Sequence, residues 1–143
     1  MKPKPPTCDG CPAQRVGKGY VPGEGPSTAS IALLGQGPGE EEAWTSRPFV
    51  GPSGRTLDWW LVRAGVERHK VWVDNVVRCW LPGNRAPTSA EIAHCRKAHW
   101  EPALRAHTQL NTLVPIGVPS GKAILGPKYS MSQAGIVREV DLG

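Results

Sequence analysis

The sequence predicts an α/β domain, a three-layer α/β/α sandwich whose central sheet is mainly parallel, formed by residues 1–143 as a single domain. Short apolar runs alternate along the chain with segments of helical spacing, and this alternation is typical of βαβ units. A chain of 143 residues suits one hydrophobic core. About half of the residues are apolar when glycine is counted, as in globular proteins, which excludes a wholly disordered chain.

The N-terminal part is predicted to hold a loop-rich segment, a strand and a turn. Residues 1–29 are rich in proline, glycine and lysine and lack a periodic apolar pattern, so we expect a looped extension. The run from Ser30 to Leu34 ends at Gly35, as a buried parallel strand does. The glycine-rich turn GQGPGEEEA follows over residues 35–43.

A helix and a second strand are predicted next. Helical spacing begins at Ser53, which we expect to cap the helix, and ends at Gly65. The β-branched run from Val71 to Val77 predicts a strand with Asn75 near its end. The apolar residues of the predicted helix are Leu57, Trp60, Leu61 and Ala64.

The remaining elements complete the alternation. A capping box over residues 88–91 begins a second long helix, and residues 113–117 predict a third strand. A short helix over residues 121–125 and a final edge strand over residues 136–142 are expected after it. Because ligands bind beyond the carboxyl ends of parallel strands, the glycine-rich turn and Asn75 are predicted to share one rim.

Charge and hydropathy limit the partners. The net charge of +5 favours a polyanion such as DNA. No apolar stretch reaches about 18 residues, and no apolar run follows the basic start, so neither a membrane span nor a secretory signal is predicted. We therefore expect a cytoplasmic monomer that does not contact membranes.

The four cysteines suggest a metal site. Cys8 and Cys11 form a C-x-x-C pair, and Cys79 and Cys95 are single. In a reducing compartment such thiols more often bind metal than form disulfides. Their spacing permits zinc or an iron–sulfur cluster, and the spacing alone favours zinc.

The other candidate residues have ordinary structural interpretations. The turn after the first strand lacks a nucleotide-binding fingerprint, but its glycines would let backbone N–H groups approach a ligand. The six tryptophans, led by Trp59, Trp60 and Trp100, are expected to fill the core. Four histidines lack metal-ligand spacing and are expected to be solvated or packed at the surface: His69, His94, His99 and His107.

Five segments, taken together, point to one family. They are GQGPGEEEA, RPFVGPSGR, VWVDNVVRC, PGNRAPTSAEIAHC and LVPIG. In order and spacing the chain resembles the family 4 uracil-DNA glycosylases over nearly its whole length. The resemblance implies an enzyme of DNA base excision repair that flips uracil out of DNA and hydrolyses its N-glycosidic bond. It also implies that a [4Fe–4S] cluster, rather than zinc, is held by Cys8, Cys11, Cys79 and Cys95.

The resemblance assigns roles to five residues. Phe49 matches the aromatic side chain that stacks on the flipped uracil, and Asn75 matches the amide that reads its edge. A carboxamide accepts from uracil N3–H and donates to O4, whereas cytosine presents the opposite polarity. Gln36, where the family usually has Glu, and Gly37 match contacts to the base, and Glu42 matches the carboxylate that positions water. Glu42 and Asn75 are thus the implied catalytic residues.

One family segment is expected to be missing. A later His-Pro segment supplies a histidine to the uracil and a loop that wedges the duplex, and we expect this chain to lack it. Slow excision, biased to single-stranded DNA, would follow. The alternative is a non-catalytic or weakly active module that binds DNA or uracil. Phosphate contacts are expected from the basic residues Arg47, Arg55, Arg85 and Lys122.

Overall fold

A computed structural model of the chain describes residues 1–141, and within them one three-stranded parallel sheet lies at the centre. The strands are β1 (Ile31–Gly35), β2 (Trp72–Asn75) and β3 (Thr112–Pro115). Strand β1 lies between β2 and β3 and pairs in parallel with both. The predicted parallel α/β architecture is confirmed.

Five α-helices of the described chain connect and flank the strands. They are α1 (Glu40–Thr45), α2 (Pro52–Arg63), α3 (Ser89–Cys95), α4 (Glu101–Ala106) and α5 (Val118–Leu125). A π-helical turn, Arg96–Trp100, joins α3 to α4, so the predicted second long helix is continuous but widened at its middle. No helix of residues 1–141 is long and apolar enough to cross a membrane.

The side chains of β1 divide the core into two layers. Because alternate strand residues point to opposite faces, Leu33 packs with Leu61 of α2, whereas Leu34 packs with Trp100 and Leu104 beside α4. Trp100 is fully buried and donates its Nε1–H to the Val76 carbonyl at 3.1 Å. Helices therefore cover both faces of the sheet, as a three-layer sandwich requires.

The two predicted helix caps differ in outcome. The capping box of α3 is confirmed: the Thr88 hydroxyl accepts from the Glu91 N–H at 3.2 Å, and the Glu91 carboxylate accepts from the Thr88 N–H at 2.8 Å. The cap predicted at Ser53 is wrong, because α2 begins one residue earlier at Pro52 and its N-cap is Gly51, which has no side chain. Proline is favoured in the first turn of a helix, where its missing N–H costs nothing.

The tryptophan prediction is right for Trp100 and wrong for three others, one of which is Trp44 of α1, 61% exposed. Trp59 and Trp60 of α2 are 52% and 59% exposed. Leu57 and Leu61, four residues apart, pack against the core, and the helical rotation of 100° per residue turns both tryptophans away from that stripe. Periodicity alone could not separate the two faces, since apolar side chains occupy both.

The predicted edge strand over residues 136–142 is also wrong for its described part. Residues 136–141 form no strand, and Leu142 lies outside the described residues. Val137 is 97% exposed. Val114 of β3 is 39% exposed, so residues 136–141 do not cover this edge strand.

Hydrogen bonds to backbone groups hold the N-terminal extension in place. Its Lys18 and Glu24 form antiparallel bridges with Trp80 and Val73. The Lys4 ammonium donates to three backbone carbonyls, those of residues 13, 14 and 17, at 2.5–3.0 Å. These contacts order a segment that has little apolar surface to bury, and its membership of a single domain with the rest of the chain stays a prediction.

Candidate functional site

A cavity of about 460 Å³ opens at the carboxyl ends of β1 and β2. This is the predicted rim, where the strand order changes direction around β1. All five residues implied for base binding and catalysis line it, and they come from four segments of the chain. They are Gln36, Gly37, Glu42, Phe49 and Asn75.

Asn75, the last residue of β2, presents its side chain to this cavity. The residue is 2% exposed, and its backbone N–H donates to the Asp74 carboxylate at 2.8 Å. Within residues 1–141 the carboxamide has no hydrogen-bond partner. A buried amide with an unused donor and acceptor is costly unless a ligand or water satisfies it, so this group is poised to bind.

Phe49 is held in an uncommon backbone conformation. Its φ is +53°, in the left-handed region that bulky side chains rarely adopt. The Arg68 guanidinium donates to the carbonyls of Phe49 and Pro48, each at 2.9 Å, and pairs with Asp58 at 2.6 Å. A Cβ at Gly54 would lie only 1.9 Å from the Phe49 carbonyl oxygen, so the first turn of α2 must be bare there.

Gly35 brings the ring and the amide together. A Cβ on this last residue of β1 would lie 2.4 Å from Phe49 Cζ and 2.6 Å from Asn75 Oδ1. Both distances are shorter than any van der Waals contact, so the bare backbone at position 35 is what allows the two side chains to share this wall of the cavity.

Glu42, on α1, contributes a mostly buried carboxylate. The residue is 7% exposed, and its Oε1 accepts from the Gly51 N–H at 3.2 Å. Among the described residues its Oε2 accepts no hydrogen bond, so it is available to a water molecule in the cavity.

A chain of polar contacts leads away from β2. The Arg78 guanidinium donates to both Asp74 carboxylate oxygens, at 3.0 and 2.5 Å, and to the Tyr20 hydroxyl at 3.0 Å. Tyr20 lies 3.4 Å from His99 Nδ1, and His99 Nε2 lies 3.3 Å from Cys8 Sγ. Burial disfavours the charged form of both partners of this ion pair. For Arg78, the attraction of the Asp74 carboxylate exceeds the cost of burial and raises the pKa of the guanidinium. The segment that carries Asn75 is thereby tied to a cysteine.

The four cysteines line a second, smaller cavity, together with Lys4, Arg78 and His99. None is in a disulfide. Burial raises the pKa of Cys79 to about 11 and that of Cys95 to about 12, while nearby Lys4 and Arg78 act in the opposite direction on those thiols.

The thiols around this second cavity suit a cluster differently from a single ion. Within residues 1–141, no group of three or more His, Cys, Asp and Glu side chains is arranged to hold a single ion. A [4Fe–4S] cluster needs four cysteines that each bind a different iron, and the four thiols converge on this cavity from different segments. Four thiols around one cavity are a donor set that a [4Fe–4S] cluster would fit, and the choice between a cluster and zinc stays a prediction.

Several contributors to these sites were not predicted from the sequence. Arg68, Gly54 and Gly35 support the Phe49–Asn75 wall, and Tyr20 and Arg78 link β2 to the cysteines. The Asp74–Arg78 pair had no sequence signal, because a spacing of four residues brings side chains together on a helix and Asp74 lies in a strand.

The predicted phosphate-binding residues are distributed unevenly. Arg85 lines the larger cavity and pairs with Glu91 at 2.7 Å, and Arg47 pairs with Glu24 at 2.8 Å. Lys122 lies on α5 and does not line the cavity. Their contact with DNA stays a prediction.

The larger cavity, with its buried amide, aromatic ring and carboxylate, can be compared with known proteins. The family model of the uracil DNA glycosylase superfamily matches residues 22–138. The chain belongs to this superfamily. The match includes every residue that lines the larger cavity and two of the four cysteines.

Curated relatives named "Type-4 uracil-DNA glycosylase" are similar to about three fifths of the chain. The relative from Pyrobaculum aerophilum is 42% identical and that from Thermotoga maritima 44% identical, each over 88 residues that cover 62% of this chain. The relative from Archaeoglobus fulgidus is 37% identical over 89 residues. The chain spans about half the length of these relatives, 45% and 46% for the first two.

Proposed function

We propose that this protein is a uracil-DNA glycosylase that takes uracil out of the DNA stack and hydrolyses its N-glycosidic bond, leaving an abasic site. The observation that carries the proposal is the unpartnered Asn75 carboxamide, 2% exposed beside the Phe49 ring. Membership of the superfamily and the name shared by the relatives support it.

Base selection follows from the amide. Uracil offers an N3–H donor next to the O4 acceptor, which matches the oxygen and nitrogen of a carboxamide, with Asn75 accepting from N3–H and donating to O4. Cytosine has an acceptor at N3 and a donor at its amino group, so it would leave buried polar groups unpaired at a cost of about 1–3 kcal/mol each. Phe49 supplies the stacking face, and Gln36 and Gly37 contact the base from the turn after β1.

Bond cleavage then needs charge stabilisation and a water molecule. Breaking the N1–C1′ bond leaves its electron pair on uracil, and water adds hydroxide to C1′ while its proton goes to the departing base or to solvent. Glu42 positions that water through its free Oε2 and stabilises the positive charge that develops on the sugar. The Asn75 N–H donor to O4 stabilises the negative charge on the leaving uracil.

The cysteine cavity is proposed to hold a [4Fe–4S] cluster through Cys8, Cys11, Cys79 and Cys95. Such a cluster supplies cross-links between distant segments, here between the extension and the end of α3. The Lys4 ammonium and the Arg78 guanidinium lie beside the thiols and offset the negative charge of four thiolates.

DNA containing uracil is the proposed partner, and the protein is proposed to act on it as a monomer. The free thiols and a DNA substrate agree with a cytoplasmic location.

The test is single-turnover excision from an oligonucleotide with one uracil, followed by alkaline cleavage of abasic sites. We expect product from the wild-type chain and none from the same oligonucleotide with cytosine in place of uracil. Absence of product at stoichiometric protein would reject the enzyme. Retained binding of the uracil strand in that case would favour the non-catalytic module.

A further inference from the structure

Helix α2 carries an exposed aromatic pair that the proposed chemistry does not use. The rings of Trp59 and Trp60 meet edge to face, with centroids 4.8 Å apart and planes 81° apart. The Arg63 guanidinium lies over the Trp59 ring, 4.0 Å from its centroid. Both tryptophans are more than half exposed, which is unusual for such large apolar groups.

The position of this pair relates to the larger cavity. Pro52 and Ser53, the first residues of α2, line that cavity. Seven residues are nearly two full helical turns, so Trp59 returns to the face of Pro52 and Trp60 to the face of Ser53, about 10 Å further along the axis. Stacked bases on one DNA strand are about 3.4 Å apart, and unstacked bases lie further apart, so this distance corresponds to at most roughly three nucleotides.

Basic side chains flank the aromatic pair. Arg55, Trp59 and Arg63 recur every four residues and form one stripe on the helix surface. Arg55 makes two long, exposed contacts, with the Glu41 carboxylate and with the Val50 carbonyl, each at 3.5 Å, and a phosphate can compete for them. The acidic residue of this segment, Asp58, is already paired with Arg68.

We propose that the stripe Arg55–Trp59–Trp60–Arg63 is a stacking platform for unpaired bases of the DNA strand that enters the larger cavity, within about three nucleotides of the flipped base. Aromatic faces between cationic side chains are the chemistry that single-stranded DNA selects, because every base has a π-face and every linkage carries a negative charge. This inference rests on the proposed function for the identity of its strand.

The first experiment uses no uracil. Binding of an oligothymidylate of about ten nucleotides is measured for the wild type, the double variant Trp59→Ala/Trp60→Ala, Trp59→Leu and Val62→Ala. We expect binding of the double variant to be weaker by at least roughly 5- to 100-fold, the factor that a single stacked base contributes. Trp59→Leu keeps an apolar side chain without a π-face and should weaken binding as well. Val62→Ala, on the same helix and 79% exposed in the wild type, should leave binding unchanged.

The second experiment connects the stripe to the cavity. With an oligonucleotide of about ten nucleotides that carries one uracil, the double variant should need more substrate to reach half-maximal excision and keep the maximal rate. Arg63→Gln should reduce the salt dependence of binding by about one phosphate contact.

Each outcome decides the proposal. Wild-type affinity in the double variant, or in Trp59→Leu, would overturn it, as would a wild-type chain that does not bind oligothymidylate. Self-association lost in the double variant, with DNA affinity unchanged, would instead assign the stripe to contact with a second copy. A wild type that binds oligothymidylate but never excises uracil would reject the proposed function, while the oligothymidylate series would still decide the stripe.

Discussion

The two cavities share the chain segment 75–79 but differ in how their polar groups are satisfied. In the larger one, Asn75 and Glu42 keep hydrogen-bonding capacity that no described residue uses. Beside the smaller one, Arg78 makes three hydrogen bonds to Asp74 and Tyr20. Unused capacity marks groups that await a ligand, and mutual satisfaction marks groups that hold the chain in place.

Groups that hold the chain and groups that await a ligand alternate along residues 74–79. Asp74 and Arg78 form the ion pair, and Asn75 between them is left free to read a base. Cys79 lines both cavities. Rigid support thus comes from the neighbours of the base-reading residue, which agrees with the need to hold a buried amide within a narrow range of orientations.

The largest effect is expected from removing a cysteine that lines the smaller cavity alone. Cys11→Ala should reduce the iron content of anaerobically purified protein from about four per chain. Unfolding free energy should fall by about 5 kcal/mol or more, because a whole metal site is lost. Iron analysis and denaturant titration check this, and colourless wild-type protein with one bound zinc would contradict it.

Breaking the ion pair should affect both cavities. Arg78→Met leaves Asp74 buried without its partner, and we expect a loss of about 3–5 kcal/mol in unfolding free energy. Excision should fall too, since the Asp74 carboxylate also holds the Asn75 backbone. Tyr20→Phe removes only one neutral partner of Arg78 and is the milder control. Equal stability of Arg78→Met and the wild type would show that the pair does not support β2.

Removing the Asn75 amide should impair the larger cavity and leave the cysteine cavity unchanged. Asn75→Ala is expected to lower the single-turnover rate on uracil by about 10²- to 10³-fold, the usual effect of losing a preorganised donor. Iron content should not change, because the side chain has no partner in the described chain. Asn111→Ala, at the start of the β3 region and exposed, is the matched control. Unaltered excision by Asn75→Ala would remove this residue from the site.

The smallest effect concerns acid stability at the start of α3. The hydrogen bond from Arg85 holds the pKa of Glu91 below its usual value of 4.5. The unfolded state therefore takes up a proton first as the pH falls, so the stability from this carboxylate is present above pH 4.5 and is lost below it.

Glu91→Gln should cost about 1 kcal/mol in unfolding free energy at neutral pH and should reduce the loss of stability on acidification. Glu139→Gln, which is exposed, is the control and should change neither. Identical acid titrations of Glu91→Gln and the wild type would contradict the assignment.

Sequence patterns predicted the sheet and the cavity because both depend on local signals. Apolar runs placed the strands, and the two residues implied as catalytic lie near or at strand ends that converge in any parallel sheet. Ligand set, base contacts and catalytic roles came from the family resemblance, and their chemistry stays a prediction.

Sequence patterns failed to predict the features that depend on packing between residues far apart in the chain. Trp60 was counted in the helical apolar pattern of α2, yet the orientation of the helix exposes it together with Trp59. The Arg68 clamp on Phe49 spans nineteen residues, and the Tyr20–Arg78 contact spans fifty-eight. No local window contains either pair. The prediction that the histidines are solvated or packed at the surface fails for His99 and His107, which are 7% and 9% exposed because they pack against Tyr20 and Trp72.

The bare backbone at Gly35 also limits how base preference can change. Since the Phe49 ring and the Asn75 amide both lie where one methyl group would be, a larger or displaced side chain at either position moves into the space of the other. Substitutions at positions 49 and 75 should therefore be non-additive. Variants with a new base preference are to be sought in libraries that randomise the two positions together and keep glycine at 35, and libraries that vary one position at a time will miss them.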